Sequence, residues 1–127
     1  MTMTEGMVGP DALSARDGRL AVAVHLPWYR SLPVSCVETV RVSVDGIPTP
    51  VRSVSVGDFA GRVEDAAGSD GTWDLRDPLD VVLYVAGRPG VTHAVEVALA
   101  VRIPYMQQAP GVALVQRATA RTEGTLR

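Results

Sequence analysis

Valine dominates this chain: it occupies 21 of the 127 positions, whereas isoleucine occupies two. Side chains that branch at Cβ favour β-strands, so an enrichment of this size predicts a chain built mainly from strands. In several segments the valines also fall at every second position. Because successive side chains of a strand point to opposite faces, this spacing predicts strands with one buried face.

Four segments carry the alternation most clearly, at residues 20–26, 40–44, 79–85 and 91–103. Proline cannot donate a ladder hydrogen bond, so Pro27 is expected to close the first strand and Pro104 the longest one. Asp45-Gly46 lies between Val44 and Ile47, and an Asp-Gly pair in this position predicts a tight type I′ hairpin. No long helical pattern is present, although residues 62–67 are compatible with one helical turn.

These strands and turns predict an all-β fold, a single-domain antiparallel β-sandwich. Residues 18–107 are expected to form the sandwich core. Residues 1–17 are predicted to be an N-terminal arm or an edge strand, and residues 108–127 a C-terminal strand or tail.

Composition excludes several classes of protein. The net charge is −2 and all twelve basic residues are arginine, so the chain lacks both the basic excess of a nucleic-acid binder and any lysine for P-loop or Schiff-base chemistry. No stretch approaches the roughly 18 to 20 apolar residues that span a bilayer, and Met1–Pro10 has no signal-peptide pattern. The expectation is a cytoplasmic protein that binds neither nucleic acid nor membrane.

The residues that could carry chemistry are few. His25 and His93 lie on predicted strands without a carboxylate cluster, and Cys36 falls in phase with the valines, so structural roles are favoured for all three. Acidic pairs in the Gly-rich stretch, Glu64-Asp65 and Asp74…Asp77, would suit a glycosidase, but a solvated loop is the simpler interpretation. We therefore predict no catalytic, cofactor-binding or metal-binding residue in this chain.

Two aromatic segments follow predicted strands. Trp28, Tyr29 and Arg30 follow the first strand, and Tyr105 and Met106 follow the longest. Trp, Tyr, Arg and Met are enriched at protein interfaces, so these five residues are predicted to form a partner interface. Capping of the sandwich core is an equally good interpretation, and contact of the rings with a sugar or aglycone ranks behind both.

Two motifs give the chain a family resemblance. The first is LPWYRSLPVSCVE at residues 26–38, which is followed by Val44-Asp45-Gly46. The second comprises GVTHAVEV at residues 90–97 and RIPYM at residues 102–106. At these distances the motifs resemble the small β subunit of bacterial C-glycoside deglycosidases over about residues 18–107, with Trp73 matching a Trp-containing loop. Trp28 and the Asp/Gly-rich residues 65–71 depart from the family pattern.

The resemblance implies a two-subunit enzyme. Its larger α subunit is a TIM barrel that holds a divalent metal, manganese or magnesium, and the substrate is a C-glycoside oxidised to a ketone at C3. Because that ketone acidifies the C2 hydrogen, a base can remove it, the metal can stabilise the enolate as a Lewis acid, and the aglycone carbon leaves by β-elimination. This chain would be the non-catalytic subunit of such a lyase.

Two other functions compete with this interpretation. The chain would alternatively be a stand-alone carbohydrate-binding or interaction module, although such modules generally carry an export signal. A small stand-alone enzyme is disfavoured because the chain lacks a constellation of His and carboxylate side chains.

Overall fold

A computed structural model describes residues 6–127. The elements are antiparallel strands and two short 3₁₀ helices, at Val34–Cys36 and Val63–Gly68. The strands are β1 Leu13–Arg16, β2 Arg19–Val24, β3 Leu32–Pro33, β4 Val37–Val44, β5 Ile47–Thr49, β6 Val51–Val56, β7 Phe59–Gly61, β8 Thr72–Trp73, β9 Leu79–Ala86, β10 Thr92–Ala109 and β11 Val112–Thr125. The predicted all-β fold is confirmed. No helix in this part of the chain is long and apolar enough to cross a membrane.

Two main sheets enclose the core. One has five strands in the order β1-β2-β9-β6-β7, and the other has four in the order β11-β10-β4-β5. A third, two-stranded sheet pairs β3 with β8. Four of the eight neighbouring pairs are hairpins, namely β1–β2, β4–β5, β6–β7 and β10–β11. The other four, β2–β9, β6–β9, β4–β10 and β3–β8, connect strands that are not consecutive in the chain.

The alternating valines form the core because the register between neighbouring strands places their buried side chains side by side. In the five-stranded sheet Val22 and Val54 flank Val81, and all three are buried. In the four-stranded sheet Val40 and Ala118 flank the buried Leu99 in the same way. The inward rows of both sheets join in one hydrophobic cluster, so the two faces pack as a sandwich.

Four strands predicted from alternation are confirmed as β2, β4, β9 and β10, although β2 ends at Val24, before the expected stop at Pro27. The expectation that Pro104 ends the longest strand is wrong, because β10 continues to Ala109. Pairing with β4 stops at Val101, and the pairing with β11 is shifted in register between Ile103 and Gln107. At this irregularity the missing amide hydrogen of proline costs no regular ladder bond.

The predicted turns are also observed. Asp45 and Gly46 have φ values of 51° and 82°, as a type I′ hairpin between β4 and β5 requires. The single helical turn expected at residues 62–67 is the 3₁₀ helix Val63–Gly68. Of the N-terminal residues 1–17, positions 1–5 lie outside the described residues, and Leu13–Arg16 forms the edge strand β1. Most of residues 108–127 forms β11.

Candidate partner-binding site

The two motifs that carry the family resemblance are joined in space. Arg102 on β10 reaches the segment that starts β4: its guanidinium lies 3.3 Å from a Glu38 carboxylate oxygen and 3.3 Å from the Ser35 carbonyl oxygen. It also lies 3.9 Å from the Cys36 sulfur. The Arg102 side chain therefore connects the RIPYM motif on β10 to the end of the LPWYRSLPVSCVE motif, where β4 begins.

A second connection follows a few residues away in both motifs. The Trp28 indole N–H donates a hydrogen bond of 2.5 Å to the Tyr105 hydroxyl. The Arg30 guanidinium lies over the Tyr105 ring, 5.0 Å from its centroid, as in a cation–π contact. The rings of Trp28 and Tyr29 are 5.0 Å apart and tilted by 42°. We call Trp28, Tyr29, Arg30 and Tyr105 the aromatic cluster.

The cluster combines an anchored ring with exposed ones. Trp28 is half-buried and packs against the core. Tyr29 and Tyr105 are 58% and 46% exposed. Hydrogen bonding with Tyr105, together with burial, raises the pKa of the Tyr29 phenol above its usual value, against the opposing effect of Arg30. The Tyr29 phenol is therefore a neutral donor and acceptor at neutral pH, and the cluster combines polar atoms with aromatic rings.

The structure thus brings four of the five predicted interface residues into contact. Met106 is 39% exposed beside Tyr105, but the hydrogen bond and the cation–π contact belong to Tyr105. Tyr105 and Met106 are predicted to follow the longest strand and instead lie on it, where β10 extends beyond its pairing with β4. The geometry supports both interpretations of the aromatic residues, since Trp28 covers the core and the tyrosines face solvent.

Sequence reasoning missed Arg102 as the residue that joins the motifs. The signal was its place in RIPYM: it lies on the polar face of the longest strand, where an arginine can reach a neighbouring strand's carboxylate. Its partner Glu38 is the last residue of the LPWYRSLPVSCVE motif. Neither residue is distinctive without the pairing of β10 with β4, in which Val101 lies opposite Val37.

The histidines and the cysteine have structural settings. The His93 Nδ1 lies 2.7 Å from an Asp45 carboxylate oxygen, and the other Asp45 oxygen accepts the Ala94 amide at 2.9 Å. These bonds hold the β4–β5 turn against β10. His25 is exposed at the end of β2. Cys36 is buried as expected, and burial raises the pKa of its thiol despite the nearby Arg102.

The acidic pairs organise loops in the way a solvated segment does. Glu64 pairs with Arg62 at 2.9 Å, and Asp65 accepts the Arg62 amide at 3.0 Å. Asp74 bonds to Arg76, which lowers the pKa of the Asp74 carboxyl. Among residues 6–127 there is no group of three or more His, Cys, Asp or Glu side chains that could hold a metal ion.

Trp73 belongs to the core and not to the aromatic cluster. It is fully buried on β8, opposite Leu32 of β3, and its indole N–H donates to the Asp77 carbonyl oxygen at 2.8 Å. The middle of the first motif, where β3 lies, is thereby attached to the Trp-containing loop. Its burial identifies Trp73 as a residue that shapes the site without being part of its surface.

Comparison with known proteins agrees with this grouping of motifs. The family model described as C-glycoside deglycosidase beta subunit matches residues 20–105, which include the aromatic cluster and the Arg102–Glu38 pair. A C-glycoside deglycosidase beta subunit of Arthrobacter globiformis is 32% identical over 116 residues, covering 87% of each chain. A second such subunit from the same organism is 37% identical over 97 residues, covering 72% of this chain and 73% of the relative.

A relative with a more specific name also matches. The 3'-dehydrocarminate deglycosidase beta subunit of a Microbacterium species is 34% identical over 106 residues and covers 80% of each chain. The relatives therefore share nearly the whole length of the sandwich and not merely an isolated motif.

Proposed function

The chain belongs to the C-glycoside deglycosidase beta subunit family, and on this basis we propose that it is the non-catalytic subunit of a heteromeric lyase. The complex cleaves the carbon–carbon bond of 3-oxo-C-glycosides by β-elimination and releases the aglycone. A larger α subunit with a TIM-barrel fold carries the base and a divalent metal, manganese or magnesium. Such a metal, when bound to the α subunit, would supply Lewis-acid chemistry.

The observation that carries the proposal is the aromatic cluster. Two segments 77 positions apart in sequence place an indole, two phenols and a guanidinium on one surface. Exposed tyrosines beside an arginine are characteristic of the residues that dominate binding energy at protein interfaces. We assign this surface, with the adjacent Met106, to contact with the α subunit.

The assignment of roles to residues follows from the chemistry of the cluster. Trp28 is fixed by its core contacts and its hydrogen bond to Tyr105, so its orientation costs little additional entropy on binding. Arg30 has guanidinium hydrogens left for an acidic group of the α subunit while its planar face rests on Tyr105. We further propose a cytoplasmic location, which suits a single buried thiol in a reducing compartment.

The test is reconstitution. The purified chain, a purified α subunit and their mixture are each incubated with a 3-oxo-C-glycoside, with and without Mn²⁺, and aglycone release is followed by chromatography. We expect release from the mixture with metal and none above background from this chain alone. Release by the isolated chain would overturn the proposal. Sugar binding by this chain without association with the α subunit would instead support a stand-alone carbohydrate-binding module.

A further inference from the structure

Strand β11 exposes backbone hydrogen-bonding groups along one edge of the four-stranded sheet. The direction of these groups follows from neighbouring bonds. Leu126 exchanges hydrogen bonds with the Gly90–Val91 segment beside β10, whereas Arg127 bonds to Leu13 and Ala15 of β1 on the opposite side. Amide directions alternate along a strand, so the odd-numbered residues of β11 direct their N–H and C=O groups away from β10.

A second observation gives the same direction. Ala94 lies opposite Glu123 in the β10–β11 register, and its N–H and C=O bond to Asp45 on the β4 side. The Ala94–Glu123 pair is therefore a non-hydrogen-bonded pair of the ladder, and the Glu123 backbone faces the free edge. Within residues 6–127 this edge has no strand partner between Arg117 and Glu123.

The side chains along this edge carry complementary charges. Arg117, Thr119, Arg121 and Glu123 are exposed and share the outer face of the sheet. A long edge strand with unpaired backbone groups is a template for another strand. Its side chains determine which strand fits, because opposite charges directly across a pair stabilise it and like charges destabilise it.

We propose that β11 pairs antiparallel with β11 of a second copy of this chain, about a two-fold axis at Ala120. This register places Arg117 opposite Glu123 of the second copy, and the symmetry repeats the pair. Thr119 then lies opposite Arg121. The two four-stranded sheets join into one continuous sheet across the dimer.

Neighbouring registers are less complementary. An axis at Thr119 would place Arg117 opposite Arg121, and an axis at Arg121 would place two Arg121 side chains opposite each other. An axis at Thr122 would place Arg121 opposite Glu123, but it shifts the paired segment to residues 119–125, toward the end of β11 where the Pro10 carbonyl approaches Gly124 and Arg127 bonds to β1. Of these registers, the one at Ala120 pairs opposite charges and keeps the paired segment, residues 117–123, short of that end.

The pairing uses no residue of the aromatic cluster, so it goes beyond the proposed function and stands or falls separately from it. A complex built this way contains two β subunits linked through β11, each with its cluster available for an α subunit. The paired segment, residues 117–123, covers only half of β11, so the interface is small and we expect the isolated dimer to be weak, with a Kd in the micromolar range.

Sedimentation equilibrium of the full chain over a range of concentrations tests the pairing. Wild type is expected to shift from a 13.5 kDa monomer toward twice that mass as concentration rises. Arg117→Glu places like charges opposite each other at both ends of the pair, as does Glu123→Arg. Each single variant is expected to dimerise at least tenfold more weakly, and the double variant Arg117→Glu/Glu123→Arg is expected to restore the dimer.

The controls separate this contact from general charge effects and from misfolding. Arg41→Glu reverses the same charge on β4, on the exposed face of the same sheet but away from the edge, and is expected to leave dimerisation unchanged. Circular dichroism checks that each variant is folded. Thr119→Pro removes an edge amide that has no backbone partner among residues 6–127, and offers a charge-independent way to block pairing.

Three results would overturn the proposal. These are a wild-type monomer at several hundred micromolar, single variants that dimerise like wild type, and a double variant that stays monomeric. If the single variants weaken binding of an α subunit while self-association is absent, the edge serves that partner and the dimer proposal is wrong.

Discussion

The indole N–H of Trp28 and the hydroxyl of Tyr105 are joined by a 2.5 Å hydrogen bond across the sandwich. Trp28 follows β2 of the five-stranded sheet, and Tyr105 lies on β10 of the four-stranded sheet. The bond therefore connects the two layers of the sandwich. Because of it, the segment that follows β2 and the last part of β10 form one surface, although they belong to different sheets.

Truncation of Tyr105 should weaken binding of the α subunit. Tyr105→Ala removes the ring under Arg30 and the acceptor of the Trp28 bond, and truncating a central interface aromatic typically costs about 2 kcal/mol, or about thirtyfold in affinity. Tyr105→Phe keeps the ring and loses the hydroxyl, so a smaller loss is expected. Titration calorimetry of each variant against the α subunit measures the difference.

The matched control is Tyr84→Ala. Tyr84 is similarly exposed on β9, and Arg19 lies over its ring at 5.4 Å, but it is outside the cluster. We expect it to bind the α subunit like wild type. Equal losses for Tyr84→Ala and Tyr105→Ala would contradict the assignment of the interface to the aromatic cluster, and a large fall in melting temperature for Tyr105→Ala would identify its ring as part of the core.

Much of the fold could be predicted because local patterns encode it. The valine alternation specifies strands, and Asp45-Gly46 specifies its turn through positive φ. The continuation of β10 beyond Pro104 was not predictable in this way, because it depends on where pairing with β4 stops and on a register shift relative to β11. These are properties of partner strands, and they leave no signal in the residues around Pro104.

The candidate site was predictable by residue type and not by geometry. Trp28, Tyr29, Arg30 and Tyr105 stood out because aromatic residues are scarce in this chain. Their contacts depend on a sheet order that brings residues 77 positions apart together. Arg102 was overlooked for the same reason, since its partner Glu38 becomes adjacent only when β10 pairs with β4.

The β4–β5 turn should require its left-handed backbone. Gly46 has φ of 82° with open space around it, so Gly46→Val is disfavoured by backbone strain and not by a clash with neighbours. A left-handed conformation costs an ordinary L-residue roughly 1 to 2 kcal/mol, and a loss of about that size in the free energy of unfolding is expected. Urea denaturation measures it, with Gly46→Asn, which tolerates this conformation better, as the comparison.

The carboxylate beside this turn should make stability depend on pH. The Ala94 amide and then His93 lower the pKa of Asp45 below its usual value. A lowered pKa means that the folded state favours the ionised carboxylate, so the contribution is present above the unfolded-state pKa and is lost as pH falls through the folded-state pKa. Asp45→Asn should therefore be less stable than wild type near pH 7, and the difference should shrink at pH 3.

Urea midpoints of both proteins at the two pH values measure this difference. Asn is sterically suited to the turn but replaces one of the two acceptor oxygens of Asp45 with an amide group, so the pH dependence of the difference, and not its size, reports the contribution of the charge. A difference that is the same at pH 7 and pH 3 would show that the ionised carboxylate contributes nothing specific to stability.

The Cys36 thiol should be inert in the folded protein. It is 2% exposed, and burial raises its pKa, so little reactive thiolate is present at neutral pH. A disulfide reagent at pH 7 is expected to modify the native chain much more slowly than the chain in guanidinium chloride. Native modification as fast as that of the unfolded chain would show that the 3₁₀ helix Val34–Cys36 opens readily.

Replacement of Gly87 by alanine, close to the β1–β2 hairpin, should destabilise the fold. A Cβ there would lie 2.6 Å from the Leu20 amide nitrogen and 2.7 Å from the Arg19 carbonyl carbon. Both are backbone atoms of β2, and the Gly87 amide already bonds to the Gly18 carbonyl oxygen at 3.0 Å. Because strand backbone cannot move aside like a flexible side chain, Gly87→Ala must displace β2 from β9 locally. Overpacking of this kind typically costs about 1 to 3 kcal/mol.

Gly68→Ala is the matched control, since a Cβ at Gly68 meets nothing within 4 Å and its φ is not in the positive region. Thermal denaturation should show a clear fall in melting temperature for Gly87→Ala and little change for Gly68→Ala. Equal melting temperatures for the two variants would mean that the close approach of β2 to the end of β9 is not a constraint on this fold.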